Sequence, residues 1–452
     1  MPNVHLIGIG GTGLSAIATV LLQQGYRVTG SDGHASATTA RLEAMGATVY
    51  IGQRAENVNQ DIDTVVVSSA ISPTNPELQA AQQLGLTICK RDVWLGQMMA
   101  GYDGIAIAGT HGKTTTTAMT AWLLEQLERA PTYIVGGYIP QLKSNAAAGS
   151  GRTFVIEADE YDHMFLGLRP TVAVITNVEW DHPDIFPTPD VLYKAFTDFA
   201  QLVPADGLII GCGDALGVKI VTQSVPAPVV TYGLQSDNDW QAVDPQPNRR
   251  GGFDFTVQRA GETVATVSLA VPGLHNVCNG LATLIIADQQ GLDLQAAANV
   301  LGDFQGTSRR FERKGEVDGI TVIDDYAHHP TEIKATLSAA RSRFGERPIW
   351  AVLQPHTFSR TLTLLDDFAA AFDDADHVIV VDIFPSRETD EGLVSSRDIV
   401  SRMTHPDVRY IGSLAEAADV LATQLTAPAV LLTLGAGDGY QVGEWVLEKL
   451  AG

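Results

Sequence analysis

The sequence predicts an α/β protein of three domains, and three observations carry that prediction. The chain has 452 residues, about three times the length of an ordinary domain. Short apolar runs alternate with helix-spaced patterns through most of it, as in sheets layered with helices. Glycine-rich or acidic residues also stand directly after many of those runs, where strands of such sheets hand over to ligand-binding turns. The expected domains are residues 1–103, 104–305 and 306–452.

In the first segment, "VHLIGIG", "RVTGSD" and "TVVVSSA" read as short strands separated by helical stretches. The turn "GIGGTG" places Gly8, Gly10 and Gly13 after the first strand, and Asp32 closes the next. This is the spacing of a Rossmann-like dinucleotide fingerprint. The same geometry serves any diphosphate joined to a ribose. NAD is one reading; another nucleotide diphosphate is favoured, because the chain carries a separate ATP-type site.

That second site lies in "GIAIAGTHGKTTTTAM", residues 104–119. A strand, the loop Gly109-Thr110-His111-Gly112-Lys113-Thr114 and a helix-compatible run opening on Thr115 predict backbone N–H groups gathered around an anion. Ile107 stands where the usual P-loop has glycine, so the loop is a short G-x-x-G-K-T variant. Lys113 suits β- and γ-phosphates, and the Thr114 hydroxyl suits Mg²⁺. "TFVIEADE" ends a strand in Glu157, placed to hold the metal, with Asp159, Glu160 and Asp162 beyond it. "TVAVITNVEWDH" ends the next in Asn177, Glu179, Asp181 and His182. His182 reads equally as a second metal ligand, where Mn²⁺ could replace Mg²⁺, or as a core histidine. Residues 226–272 read as hairpins forming a small extra β-sheet. In the helix "PGLHNVCNGLATLIIADQQG", Asn276 and Asn279 share one face. Their amides suit a purine edge, or else are surface polarity.

The third segment offers the strands "ITVIDDYA", "PIWAVLQP", "HVIVVDIF" and "AVLLTLGAGD". Between the first two, Ile333, Leu337, Ala340 and Phe344 form a helical stripe expected in the core. "RRFE" and "DDYAHHPTE" present Arg309, Arg310, Asp324, Asp325, Tyr326, His328 and His329, and "QPHTFSRT" adds His356 and Arg360. Two such clusters after successive strands suit a surface that clamps phosphate and carboxylate.

The net charge of −23 repels duplex nucleic acid and anionic membranes, so neither is an expected partner. Cys89, Cys212 and Cys278 lack metal-ligand spacing or a disulfide framework, as in a reducing compartment. The N-terminus reads as a first strand, and no apolar run reaches transmembrane length. The expected location is cytoplasmic. Either a monomer or a homodimer is compatible with the sequence.

Taken in order, "GTHGKTTTT", "EADE", "NVEWDH", "HNVCN", "RRFE", "DDYAHHPTE" and "QPHTFSRT" resemble the motifs of the Mur ligases of peptidoglycan synthesis, over essentially the whole chain. The resemblance implies a Rossmann-like UDP-binding domain, a central P-loop ATPase domain and a C-terminal Rossmann-like domain. It implies ATP, Mg²⁺, UDP-N-acetylmuramate and an amino acid as ligands. Gly10, Gly11, Thr12, Asp32, Ser69 and Ala70 would bind the UDP-sugar. The loop from Gly109 to Thr115 would bind ATP, with Asn276 and Asn279 on adenine and Arg310 and Asp325 as a clamp. Thr114, Glu157 and His182 would serve the metal. Tyr326, His328, His356 and Arg360 would surround the amino acid, and His182 and His328 are the candidates to accept its proton. "QPHTFSRT" favours L-alanine as that amino acid, whereas "ADEYDHMF" and "WDHPDIFP" look closer to ligases that attach the tripeptide L-Ala-γ-D-Glu-meso-diaminopimelate. Outside the family, a nicotinamide-dependent dehydrogenase rests on "GIGGTG" alone, and a P-loop binding module would bind nucleotide without chemistry.

Overall fold

Three sheets organise the chain, seen in a computed structural model that describes residues 1–452 apart from Ser69. Ser69, one of the expected UDP-sugar contacts, lies outside the described residues. The first sheet is fully parallel, in the order Thr48–Ile51, Arg27–Asp32, Asn3–Ile7, Thr64–Val67 and Thr87–Lys90. Its central strand is buried along its whole length. The glycine-rich turn leads straight from that strand into the helix Thr12–Gln23, whose Leu14, Ile17 and Val20 pack inward.

The second sheet has ten strands, and its centre explains the ATP-type motif. Asp103–Ala108, all apolar after its first two residues and buried from Gly104 onward, pairs in parallel with Thr153–Glu157 on one side and Val172–Ile175 on the other. The loops after these three strands therefore emerge together at one edge. Beyond Val172–Ile175 come Leu208–Cys212 and Val229–Gly233, again parallel. The hairpin region forms the antiparallel strands Trp240–Pro247, Phe253–Arg259 and Glu262–Ser268. In the middle one Phe253, Phe255 and Val257 face inward in strict alternation. This small extra sheet is not free-standing: the pairs Tyr232↔Trp240 and Gly233↔Gln241 splice it onto the main sheet.

The third sheet runs Glu312–Val317, Ile320–Asp325, Ala429–Leu434, Ile349–Leu353, His377–Val380 and Val408–Tyr410, with only the first strand antiparallel. Between its second and fourth strands lies the helix Pro330–Phe344. Ile333, Leu337 and Ala340 are buried as expected, but Phe344 is only half-buried. It sits in the last turn and stacks on Phe311 instead of entering the core. The start of this helix is set by His329 as N-cap, Pro330 at the first helical position and Glu332 closing a capping box. Among the described residues, no helix is long and apolar enough to cross a membrane.

Candidate active site

A cleft of about 800 Å³ opens where the three sheets face one another. Thr12, Gly13, Ser68 and Arg91 line it from the first unit; Thr110, Gly112, Lys113, Thr114, Glu157 and His182 from the second; and Arg310, Tyr326, His328, His356 and Arg360 from the third.

The phosphate loop is shaped by its glycines. Gly109 has φ 135°, and a Cβ there would lie 2.0 Å from Thr176 Oγ1. Gly112 begins the helix Lys113–Gln126 at φ 81°, with Asn279 packed against it. Lys113 Nζ donates to the carbonyls of Gly109 (2.6 Å) and Thr110 (3.1 Å) and to Glu160 Oε1 (2.9 Å). Burial works against its charge, but Glu160 and Asp159 outweigh it and hold the ammonium above the ordinary lysine range. Glu160 is itself buried, which raises its carboxyl although Lys113 pulls the other way. The Thr114 hydroxyl donates to Glu157 Oε1 at 2.8 Å, and Gly136 N–H donates to Glu157 Oε2 at 2.6 Å. Thr115 lies beside the loop, outside the cleft lining.

The His111 ring lies outside the cleft lining, between Glu179 of the second unit and Glu332 of the third. Its Nε2 lies 3.1 Å from Glu179 Oε2 and its Nδ1 3.2 Å from Glu332 Oε1. Burial opposes its charge, yet the two carboxylates lift its pKa to about 9.

His182 is not a core histidine. It lines the cleft with φ 54°, its Nε2 3.7 Å from Glu160 Oε1 and 3.6 Å from Asp181 Oδ2. The expected metal set thus divides: Thr114 meets Glu157, while His182 meets Glu160 and Asp181. The Thr114–Glu157 pair offers two hard oxygens of the kind Mg²⁺ or Mn²⁺ takes. His111, Glu179 and His329 also bring ligand atoms within 4.8 Å of one another. A cation there would have to displace protons, because His111 is held charged. His329 Nδ1 accepts from Thr331 N–H, which leaves the hydrogen on Nε2. Within that group His111 and Glu179 share a hydrogen bond, whereas His329 Nε2 is buried with no hydrogen-bond partner.

Asn276 and Asn279 are buried rather than surface polarity. The Asn276 amide donates to Pro272 O (2.7 Å) and the Asn279 amide to Asn276 Oδ1 (3.0 Å), which fixes both beside the phosphate loop. Asp325, expected in the nucleotide clamp, is also buried and outside the cleft lining. Its oxygens accept from Phe311 N–H (2.9 Å) and Ala327 N–H (2.8 Å), and burial raises its pKa to about 6 despite Arg310. It positions the loop that carries Arg310. Arg310 itself reaches the cleft; burial opposes its charge, and Glu332, Asp325 and Glu157 sustain it.

The amino-acid candidates converge. Arg360, 3% exposed, donates from Nε to Asp181 Oδ1 at 2.7 Å across the interdomain junction. Its Nη1 lies 3.2 Å from His356 Nδ1 and its Nη2 3.3 Å from His182 Nδ1. Tyr326 carries the Arg309 and Arg310 guanidiniums 5.1 Å from its ring centre. Burial pushes His328 down to about 3 and His356 down to about 4, so both are neutral at neutral pH. A conjugate acid that strong makes His328 a poor acceptor for an ammonium proton.

In the first unit, Gly10 N–H donates to Asp32 Oδ2 at 2.9 Å, so this carboxylate partly serves to fold the glycine turn. Gly10, Gly11, Asp32 and Ala70 lie beyond the deep cleft, and Thr12 and Gly13 at its wall. Sequence reasoning missed two cleft cations. Arg91, at the start of the helix Arg91–Met98, lies over Gly13 and beside the Met164 sulfur, and its buried Nε has no protein partner. Arg387 stands 5.0 Å from the Tyr161 ring centre. A basic residue opening a helix after a strand was the available signal for Arg91; Arg387 sits in an unpatterned loop.

Three family models match the chain: "Mur ligase family, catalytic domain" over residues 3–103, "Mur ligase middle domain" over 107–287, and "Mur ligase, glutamate ligase domain" over 309–437. The chain is 42% identical over 450 residues to a UDP-N-acetylmuramate–L-alanine ligase of Caldanaerobacter subterraneus subsp. tengcongensis, covering 99% of this chain and 97% of that one. The solved structure of the UDP-N-acetylmuramate-alanine ligase of Thermotoga maritima superposes with a TM-score of 0.83 at 28% identity, over 100% of this chain and 99% of that one. A murein peptide ligase of Psychrobacter arcticus gives 0.72 at 26% identity, over 100% and 99%.

Proposed function

We propose, from the premise that this chain belongs to the Mur ligase family, that it is an ADP-forming ligase joining L-alanine to the carboxylate of UDP-N-acetylmuramate. The observation that carries this reading is the single cleft that gathers a phosphate loop, a glycine-turn domain and an Arg/His cluster from three separate sheets. A reaction of three substrates needs such a meeting point. The 42% identity to an alanine ligase and the higher TM-score for the alanine enzyme than for the peptide ligase support L-alanine over the tripeptide. With ATP as co-substrate and free thiols scattered through the chain, the reaction belongs in the cytoplasm.

A carboxylate is a poor acyl donor, so the muramoyl carboxylate attacks the γ-phosphorus of ATP. The bond to ADP breaks and an acyl phosphate forms. Two anions meet in that step. Lys113, exchanging Glu160 for phosphate oxygens, and Arg310, arriving from the third unit, reduce their repulsion. Thr114 and Glu157 would hold Mg²⁺ or Mn²⁺, which supplies further positive charge to the phosphates when bound. The neutral amine of L-alanine then attacks the carbonyl carbon; phosphate leaves as the amide forms, and the amine proton passes to solvent or a cleft base. His182, beside Asp181 and Glu160, is better placed for that proton than His328. Arg360 receives the alanine carboxylate through its Nη groups, and Tyr326 and His356 border the methyl group.

The test is an amino-acid panel with product mass detection, run with and without L-Ala-γ-D-Glu-meso-diaminopimelate. L-alanine is expected to give the dominant product, and phosphate release is expected to require all three substrates. A dominant tripeptide product, or phosphate release indifferent to the amino acid, overturns the assignment.

A further inference from the structure

Glu332 has a feature that its capping role leaves unexplained. A capping box needs one carboxylate oxygen, and Oε2 fills that need: it accepts from His328 N–H at 3.0 Å and His329 N–H at 3.4 Å, with His328 Nδ1 at 3.3 Å. Oε1 faces the other way. It lies 3.2 Å from His111 Nδ1 on the phosphate loop and 3.7 Å from Arg310 Nη1. One carboxylate, 10% exposed, thus has one oxygen on the nucleotide side and the other on the amino-acid side.

Both ends of this connection are stiff. The His111 backbone is fixed by Asn177 Oδ1, which accepts from its N–H at 2.9 Å, and by Thr176 and Asn177, which donate to its carbonyl. A phosphate seated on that loop therefore fixes the imidazole as well. At the far end, His328 Nδ1 lies 3.0 Å from Tyr326 O, so the strap 326–328 is closed by its own contact and by Glu332. Beside it, Thr331 donates to Glu179 Oε1 at 2.7 Å, and Glu179 also holds His111. The flanking charges are His111 and Arg310, with neutral His328 alongside and Glu179, Asp181 and Asp325 behind them.

We propose that Glu332 is a positioning residue that transmits nucleotide occupancy to the amino-acid pocket, its two oxygens joining the phosphate loop and Arg310 to the Tyr326–His329 strap. The inference rests on reading the cleft as a ligase site. A nucleotide that draws Arg310 against the already fixed His111 loop holds Oε1, and through Oε2 it orders the strap that borders the amino acid. By linkage, the amino acid favours the nucleotide by the same factor.

The test compares wild type with Glu332→Gln, which keeps the cap acceptor but removes the charge, and with His111→Asn, which leaves the cap untouched. Amide hydrogen exchange of residues 326–332 is followed with and without a non-hydrolysable ATP analogue and Mg²⁺. In wild type the analogue should slow exchange of this segment at least about fivefold, the lower end of ordinary coupling factors. Both variants should bind the analogue yet show no slowing. Calorimetry should show L-alanine binding tightened by nucleotide in wild type and indifferent to it in Glu332→Gln. A merely structural role would lower melting temperature and leave the slowing intact. Unchanged slowing in either variant, or none in wild type, overturns the proposal. If L-alanine fails to bind while the Glu332-dependent slowing is present, the coupling stands and the assignment of the amino substrate falls.

Discussion

Removing the Arg360 side chain separates two jobs that the structure gives to one guanidinium. Its Nε neutralises Asp181, a carboxylate 4% exposed and held well below its usual range: burial would raise it, and His182 and Arg360 overcome that. Its Nη groups face the cleft beside His356 and His182. In Arg360→Ala the buried Asp181 charge loses its partner, which costs about 3–5 kcal/mol of stability. Independently, a ligand carboxylate loses a charge-assisted contact of about 1.5–3 kcal/mol. At about 1.4 kcal/mol per decade, that is a roughly 10- to 150-fold loss of L-alanine affinity.

The double variant Arg360→Ala/Asp181→Asn distinguishes the two effects. Asparagine still accepts from His182 N–H, the bond that Asp181 Oδ1 makes at 2.7 Å, but carries no charge to strand. Most of the lost melting temperature should return, while alanine affinity stays low. The assays are thermal unfolding and calorimetry with nucleotide and UDP-sugar bound. Recovery of alanine affinity in the double variant would show that Arg360 acts only by neutralising Asp181. A loss confined to ATP would show that the pocket is misassigned.

Lys113→Ala should lower turnover by about 10³-fold or more while UDP-sugar affinity holds, because the glycine turn and the phosphate loop lie on different sheets; equal loss of both in calorimetry contradicts this layout. Arg91→Ala should weaken UDP-sugar binding about tenfold and spare L-alanine, since Arg91 lies over Gly13; a loss confined to L-alanine refutes it. His328→Asn should leave the acidic limb of the kcat/KM pH profile in place, because burial already holds His328 near 3; disappearance of the limb would make His328 the base. For His111 the folded-state pKa is raised to about 9, so its stabilising contribution is complete below the unfolded value of about 6.5 and gone above about 9. The melting-temperature gap between wild type and His111→Asn should shrink across that window from an effect on the order of 3 kcal/mol, and a constant gap refutes the pairing of charged His111 with Glu179 and Glu332.

What could be read from the sequence was what short spacing decides. Gly112-Lys113-Thr114 needs only a strand before it and a helix after it, and Glu157 needs only to end a neighbouring strand. The helix from Pro330 carried its own start signals. Contacts made by the docking of separate sheets were illegible. Arg360 and Asp181 are 179 residues apart, and no local pattern pairs them. Asp325 and Arg310 were grouped correctly by proximity, yet only the fold shows that Asp325 turns its oxygens to backbone amides. Glu332 was visible as the end of "DDYAHHPTE", but its second oxygen acquires a meaning only when the phosphate loop of another sheet arrives beside it.

The same docking explains how a chain of net charge −23 can host anionic substrates. Three of its cleft cations are already paired: Lys113 is held by Glu160, Arg360 by Asp181 and Arg310 by Glu332. Each was desolvated together with a carboxylate when the protein folded, so the cleft is close to neutral before a substrate enters. An incoming phosphate or carboxylate therefore exchanges places with a protein acid instead of adding to a bare positive field. The cations need little reorganisation to meet it. The displaced acids are then left where the incoming ammonium group can meet them before it gives up its proton and attacks as the neutral amine. Glu160 stands beside His182, and Asp181 stands beside both His182 and Arg360.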